Sequence, residues 1–141
     1  MMVYEPMEGA IQFLDALRAK GIPIALVTSS NGLKMEHLWI DMPYFKEKFD
    51  VIITGDEVKC SKPDPEGYLA AARALGVEPH RCAVFEDSLQ GVKAGKGAGA
   101  FVIGVAGTLK ASDIRPFSDI VVNAVAQINP DRLEEILKER V

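Results

Sequence analysis

Cysteine and histidine are scarce in this chain, with two of each among 141 residues. Cys60 and Cys82 form no CxxC pair. That removes the usual spacing of a structural zinc site or a dithiol redox centre, and leaves reduced thiols in a cytoplasmic protein as the expectation. His37 and His80 lie away from the serines at positions 29 and 30, so no serine–histidine pair is visible and both histidines are expected at the surface. No apolar run approaches 18 residues, which excludes a membrane-spanning helix. The opening stretch, MMVYEPMEGA, lacks the basic and then apolar order of a secretory signal. An excess of positive charge is missing too: 16 basic against 20 acidic residues give a net charge of −4, which argues against nucleic acid or an anionic membrane as partner. Repeats and low-complexity tracts are absent. So is a phosphate-binding glycine loop of the GxGxxG or GxxxxGK[ST] kind. The nearest stretch, GVKAGKGAG, has the wrong spacing, lies in a predicted helix and places Gly97 where serine or threonine is needed. A nucleotide-binding α/β module is therefore the weakest of the readings carried forward.

What is present is an ordinary globular balance, 48% hydrophobic and 26% charged, in a chain long enough to bury one sizeable core. Short apolar runs alternate with helical patterns. EGAIQFLDALRAKG sets Ala10, Phe13, Leu14 and Leu17 at helical spacing and stops at Gly21. IPIALVT reads as a strand buried on both faces. NGLKMEHLWIDMPYFKEKF is helical at first and broken near Pro43, and DVIIT is a second strand. DPEGYLAAARALG predicts a helix with Asp64 as N-cap, Pro65 at its first position and Gly76 as its stop. RCAVFE, AFVIGV and DIVVN are three further strands. SLQGVKAGKGAG is a helix that Gly95 and Gly97 weaken by about 1 kcal/mol each relative to alanine. NPDRLEEILKERV closes the chain as a helix with Pro130 at its start. Strands alternating with helices imply right-handed crossovers and a parallel sheet covered on both faces. The fold class is thus α/β, a Rossmann-like three-layer arrangement.

In such sheets ligands bind beyond the carboxyl ends of the strands, so the polar residues that follow each apolar run are the candidates. Thr28, Ser29, Ser30 and Asn31 follow the first run. Gly55 and Asp56, then Lys62, follow the second, and Glu86, Asp87 and Ser88 follow the third. Each group has two readings. The hydroxyls can donate to a phosphate beside free backbone amides, or they can cap a helix. Lys62, held extended before Pro63, can neutralise a phosphoryl group or be a solvated charge. The adjacent carboxylates can hold Mg²⁺ through oxygen ligands or cap the next helix. A hydroxyl cluster, an ammonium and a carboxylate pair, each at a strand end in this order, are far more specific together than singly.

IPIALVTSSN, SKPDPEGYLAAARALG and CAVFEDSLQGVKAG resemble the haloacid dehalogenase-like (HAD) superfamily, in particular its β-phosphoglucomutases and its sugar-phosphate and phosphoglycolate phosphatases. The resemblance covers nearly the whole chain and treats residues 1–141 as a single, partial HAD-like core domain. It implies that Thr28 binds the transferring phosphoryl group and that Ser29 and Asn31 lie near phosphate or substrate. It makes Lys62 the lysine that steadies nucleophile and phosphate, and Glu86 and Asp87 the acids that hold Mg²⁺. The implied partner is a small phosphorylated metabolite of the sugar-phosphate class, and the implied reaction is phosphoryl transfer through an aspartyl-phosphate, as a phosphatase or a mutase.

Two parts of the family pattern are missing. The DxDx(T/V) motif, which carries the nucleophilic aspartate and the general acid and base, is absent, and so is the helical cap that follows it. The chain begins about where the cap returns to the core, so the resemblance implies the C-terminal portion of such an enzyme. In the family fold the absent first strand lies between the strand ending at Thr28 and the strand ending at Glu86. Two edges should then face a gap, to be filled by residues 1–5 folding back, by a strand of a second copy in a homodimer, by a missing N-terminal segment, or by a rearranged strand order. A catalytically inactive piece with a binding or regulatory role is the alternative function.

Overall fold

The computed structural model describes residues 10–107 and 110–140, and every structural statement below concerns these residues. The chain runs α1 (Ala10–Ala19), β1 (Ala25–Val27), α2 (Gly32–Asp41), α3 (Pro43–Lys46), β2 (Val51–Ile53), α4 (Glu66–Leu75) and β3 (Ala83–Glu86). It continues through α5 (Leu89–Gly97), β4 (Phe101–Val105), α6 (Ala111–Ile114), β5 (Ile120–Val122) and α7 (Pro130–Glu139). All five predicted strands fall on the predicted apolar runs. The expected start of the first helix at Glu8 and the fold-back of residues 1–5 lie outside the described residues.

Helix ends follow local chemistry. Gly21 and Gly76 take φ of 76° and 72°, the left-handed conformation that closes a helix cheaply only at glycine. Asn31, Ser88 and Asn129 cap α2, α5 and α7 through side-chain oxygens that accept from the amides of Lys34, Gly91 and Asp131. The start of α4 differs from expectation by one residue. The helix begins at Glu66 with Pro65 in the cap position. Asp64 stays outside, where its Oδ1 accepts from the Glu66 amide at 2.9 Å.

The strands form two parallel ladders. β1 pairs with β2, Ala25 opposite Val51 through Val27 opposite Ile53. β3 pairs with β4, and β4 with β5. No ladder joins β1 to β3 among the described residues. Alternate strand residues serve opposite faces. Leu26, Phe85, Ile103 and Val105 pack with α1, α2, α3 and α7 through Phe13, Leu14, Met35, Phe45 and Leu133. Val27 and Val84 pack on the other side with Tyr68 and Ala71 of α4 and Ala94 of α5. Ile114 of α6 packs with Val92 of α5 and Val102 of β4. The result is helices on both faces of parallel strands, the three layers that the sequence predicts.

The glycines of α5 set how closely it lies on the sheet. A Cβ at Gly95 would meet the Val102 and Val84 side chains at 3.0 and 3.1 Å. At Gly91 it would overlap the Glu86 carboxyl group, whereas at Gly97 it would meet Pro65 at an ordinary 3.6 Å. Close approach therefore accounts for Gly91 and Gly95, and the helix-weakening account holds for Gly97 alone.

The loop after β2 clamps the loop after β1. Gly55 N donates to Ser30 O at 2.7 Å. The Asp56 carboxylate accepts from Gly32 N, 3.2 Å to each oxygen, and from the Thr54 hydroxyl. The Thr54 hydroxyl first, and the Gly32 amide second, hold the Asp56 carboxyl below its ordinary range.

Two predictions follow from these contacts. Alanine favours a helix interior over glycine by about 1 kcal/mol, but overpacking costs about 1–3 kcal/mol. Gly91→Ala should therefore lower the urea midpoint while Gly97→Ala raises it. A midpoint raised by both would contradict the close approach. Because the folded pKa of Asp56 is depressed, its contribution is present above the unfolded value, about 3.9, and is lost as pH falls through the folded one. Asp56→Asn should lower the melting temperature at pH 7, and its deficit should close as the pH is taken below 4, measured by circular dichroism.

Candidate functional site

Three strand-end segments meet at the carboxyl edge of β1 and β3. β1 delivers Thr28, which is 3% exposed. Its Oγ1 accepts from the Ser30 amide at 3.1 Å. β3 delivers Glu86, buried at 2% exposure, then Asp87 and the capping Ser88. Lys62 arrives on the loop before α4, and that loop is fixed by backbone contacts. Glu66 accepts from the amides of Lys59 and Cys60 at 2.8 and 3.1 Å. Asp64 N donates to Ser61 O at 3.0 Å.

At the centre is a buried ion pair. Lys62 Nζ donates to Glu86 Oε2 at 2.5 Å and to the backbone oxygen of Val27 at 3.3 Å. The Tyr68 hydroxyl donates to the same Glu86 oxygen at 2.6 Å. The Lys62 ammonium also lies 5.0 Å from the Tyr68 ring centre. Burial, and next the Glu86 charge, push the Tyr68 phenol well above its ordinary range, so it stays a donor. Removing one member of a buried pair strands the other and costs about 3–5 kcal/mol.

The positive partner of Glu86 is therefore Lys62 itself. Asp87, half-buried beside them, has its carboxyl raised by burial first and by the Glu86 charge second. These two acids are hard oxygen donors of the type Mg²⁺ takes. Glu86, however, already accepts from Lys62 and Tyr68, which leaves Asp87 as the carboxylate more open to a cation. No group of three or more His, Cys, Asp or Glu suited to a metal ion occurs among the described residues.

The other candidates divide. Thr28, Ser29 and Lys62 line one small cavity of ≈ 20 Å³, about the room one water needs. Asn31 does not line it and is instead the cap of α2, its Oδ1 accepting from Lys34 N at 2.8 Å. His37 and His80 are exposed, as expected. Tyr68 is a member of the cluster that sequence reasoning missed. Its signal was a lone tyrosine on the buried stripe of an alanine-rich helix, where a phenol needs a partner.

Comparison with known proteins identifies the family. The family described as haloacid dehalogenase-like hydrolase matches residues 2–99. The chain is 37% identical over 129 residues to the bifunctional riboflavin kinase/FMN phosphatase of Arabidopsis thaliana, covering 92% of this chain and 33% of that protein. It is 37% identical over 134 residues to the phosphorylated carbohydrates phosphatase of Thermotoga maritima, covering 93% and 59%. The structure of a HAD family hydrolase from Deinococcus radiodurans R1, solved with bound phosphate and sodium, superposes with a TM-score of 0.79 at 32% identity, over 93% of this chain and 60% of that one. The chain thus spans only a third to three fifths of these proteins. With two thirds of its length under the family match and its parallel α/β layers shared with the solved relatives, the chain belongs to the haloacid dehalogenase-like hydrolase family.

Proposed function

We propose that this chain carries the phosphoryl-binding edge of a HAD-type phosphoryl-transfer enzyme acting on a small phosphorylated metabolite of the sugar-phosphate class. The observation that carries the reading is the buried Lys62–Glu86–Tyr68 cluster beside Thr28 and Ser29 at the carboxyl ends of β1 and β3. Phosphoryl transfer concentrates negative charge, so catalysis is chiefly positioning and electrostatic stabilisation. Lys62 supplies fixed positive charge at the strand ends, Thr28 and Ser29 supply hydroxyls, and Glu86 sets the position of the ammonium. Asp87, with Glu86, is the place for Mg²⁺, which supplies charge shielding when an anionic substrate meets a carboxylate. The names of several relatives, among them a hexitol phosphatase and β-phosphoglucomutases, support this substrate class.

The sequence holds no DxDx(T/V) motif, so the nucleophilic aspartate of the family mechanism comes from outside these 141 residues. Turnover of small phosphomonoesters by this chain alone then stays near background, which is compatible with the edge still binding its ligands. Mg²⁺ titrated into the 141-residue chain should bind in the millimolar range, about −4 kcal/mol. Inorganic phosphate added next should shift the amide signals of Thr28 and Ser29. Asp87→Asn should abolish the metal step, and Lys62→Met the phosphate step. Unchanged Mg²⁺ binding in Asp87→Asn, read by calorimetry, rejects the assignment.

A further inference from the structure

We propose that Tyr68 is a positioning residue for Lys62, on the phosphoryl-binding edge on which this inference rests: by sharing one oxygen of Glu86 with the ammonium, it loosens the ion pair and leaves an ammonium proton turned to the site for an incoming anion. Tyr68 is not among the residues that line the small cavity with Thr28, Ser29 and Lys62, so it acts through its neighbours. Both donors end on the same atom. The Tyr68 hydroxyl lies 2.6 Å and Lys62 Nζ 2.5 Å from Glu86 Oε2. Hydrogen bonds polarise the groups that make them. On a shared acceptor, the first bond draws off charge that the second donor would otherwise meet.

The local fold sets this sharing up. Gly67 brings the first turn of α4 against β1, where a Cβ would meet Val27 Cγ1 at 2.9 Å. Tyr68 follows directly and is buried among Val27, Ala71, Val84 and Ala94. Its ring fills the apolar layer, and its hydroxyl reaches the end of β3. Glu66, in the same turn, accepts from the amides of Lys59 and Cys60 and so ties the loop of Lys62 to that turn. Two donors carried on one short unit thus converge on an oxygen of another element. A phenylalanine would fill the same apolar layer, so packing alone does not call for the hydroxyl.

An ammonium carries three protons. One of those on Lys62 goes to Glu86 and one to the Val27 carbonyl at 3.3 Å. The third has no acceptor among the described residues, and Lys62 lines the cavity beside the two hydroxyl residues. Without the phenol, Glu86 Oε2 turns its full charge on Lys62 and draws the ammonium towards β3. The same added negative charge repels an anion and attracts a cation. Loss of the hydroxyl therefore moves the two affinities in opposite directions. A hydroxyl that only satisfied a buried acceptor would, on removal, loosen the edge and weaken both.

Tyr68→Phe in the 141-residue chain tests it. Calorimetry is run with Mg²⁺ alone, and then with inorganic phosphate at saturating Mg²⁺. The expected result is a phosphate affinity lower by about fivefold, the factor that one modest hydrogen bond commands, together with a raised Mg²⁺ affinity. A Lys62→Met and Glu86→Gln cycle in the Tyr68→Phe background, read by urea unfolding, reports on the pair without any ligand. Its coupling should exceed the coupling measured with Tyr68 in place. Both affinities falling together, neither affinity moving, or an unchanged coupling overturns the proposal and leaves the phosphoryl-binding edge standing. An unsubstituted chain that binds no phosphate overturns that edge, and this inference with it.

Discussion

One ammonium group joins the two halves of this fold. Lys62 reaches the last carbonyl of β1 and the last carboxylate of β3 at once, across the interval where no ladder joins those strands among the described residues. Tyr68 completes the junction from α4, which lies over the same interval. A buried charge pair is costly to desolvate, and replacing it by apolar groups is often neutral for stability. Its value here is positional. It fixes where the ammonium stands at the carboxyl ends of the strands, and the hydrogen bond from Tyr68 leaves Glu86 doubly satisfied. No buried side-chain nitrogen or oxygen among the described residues lacks a partner.

The surrounding residues keep that cluster in place. Gly91 gives the Glu86 carboxyl the space that a methyl would fill, and Glu66 pins the loop that carries Lys62. Asp56, exposed and far along the chain, occupies the amide at the head of α2. A carboxylate of the protein itself therefore sits where the helix N-terminus would otherwise offer an amide to a phosphate. Under the proposed function, Thr28, Ser29 and Lys62 rather than the α2 terminus are the groups left to meet an anion at this edge.

Much of the fold was legible in the sequence. IALV, VII, AVFE and FVIGV are short runs rich in β-branched and aromatic residues between helical repeats, and each became a strand. Thr28, Lys62 and Glu86 were readable as strand-end residues, because parallel strands bring their carboxyl ends to one edge. The missing ladder between β1 and β3 followed from the family resemblance alone, since periodicity carries no strand order. Partnership was harder to read. Tyr68 lies 18 positions from Glu86 and Lys62 lies 24, and no local pattern pairs residues at such separations. The same limit hid the function of Gly91 and Gly95, whose cost to the helix is local and whose benefit lies on another element. Asn31 shows the converse: its place after Thr28 and Ser29 suggested ligand contact, and what the structure adds is a local obligation, the cap of α2.

The central claim is that Lys62 and Glu86 act as one unit across the two ladders. A double-mutant cycle with Lys62→Met and Glu86→Gln, read by urea unfolding, tests it most directly. The account predicts that each single change is strongly destabilising and that the double change costs less than their sum by about 2 kcal/mol or more. Losses that add to within about 0.5 kcal/mol would show two independent side chains and contradict it.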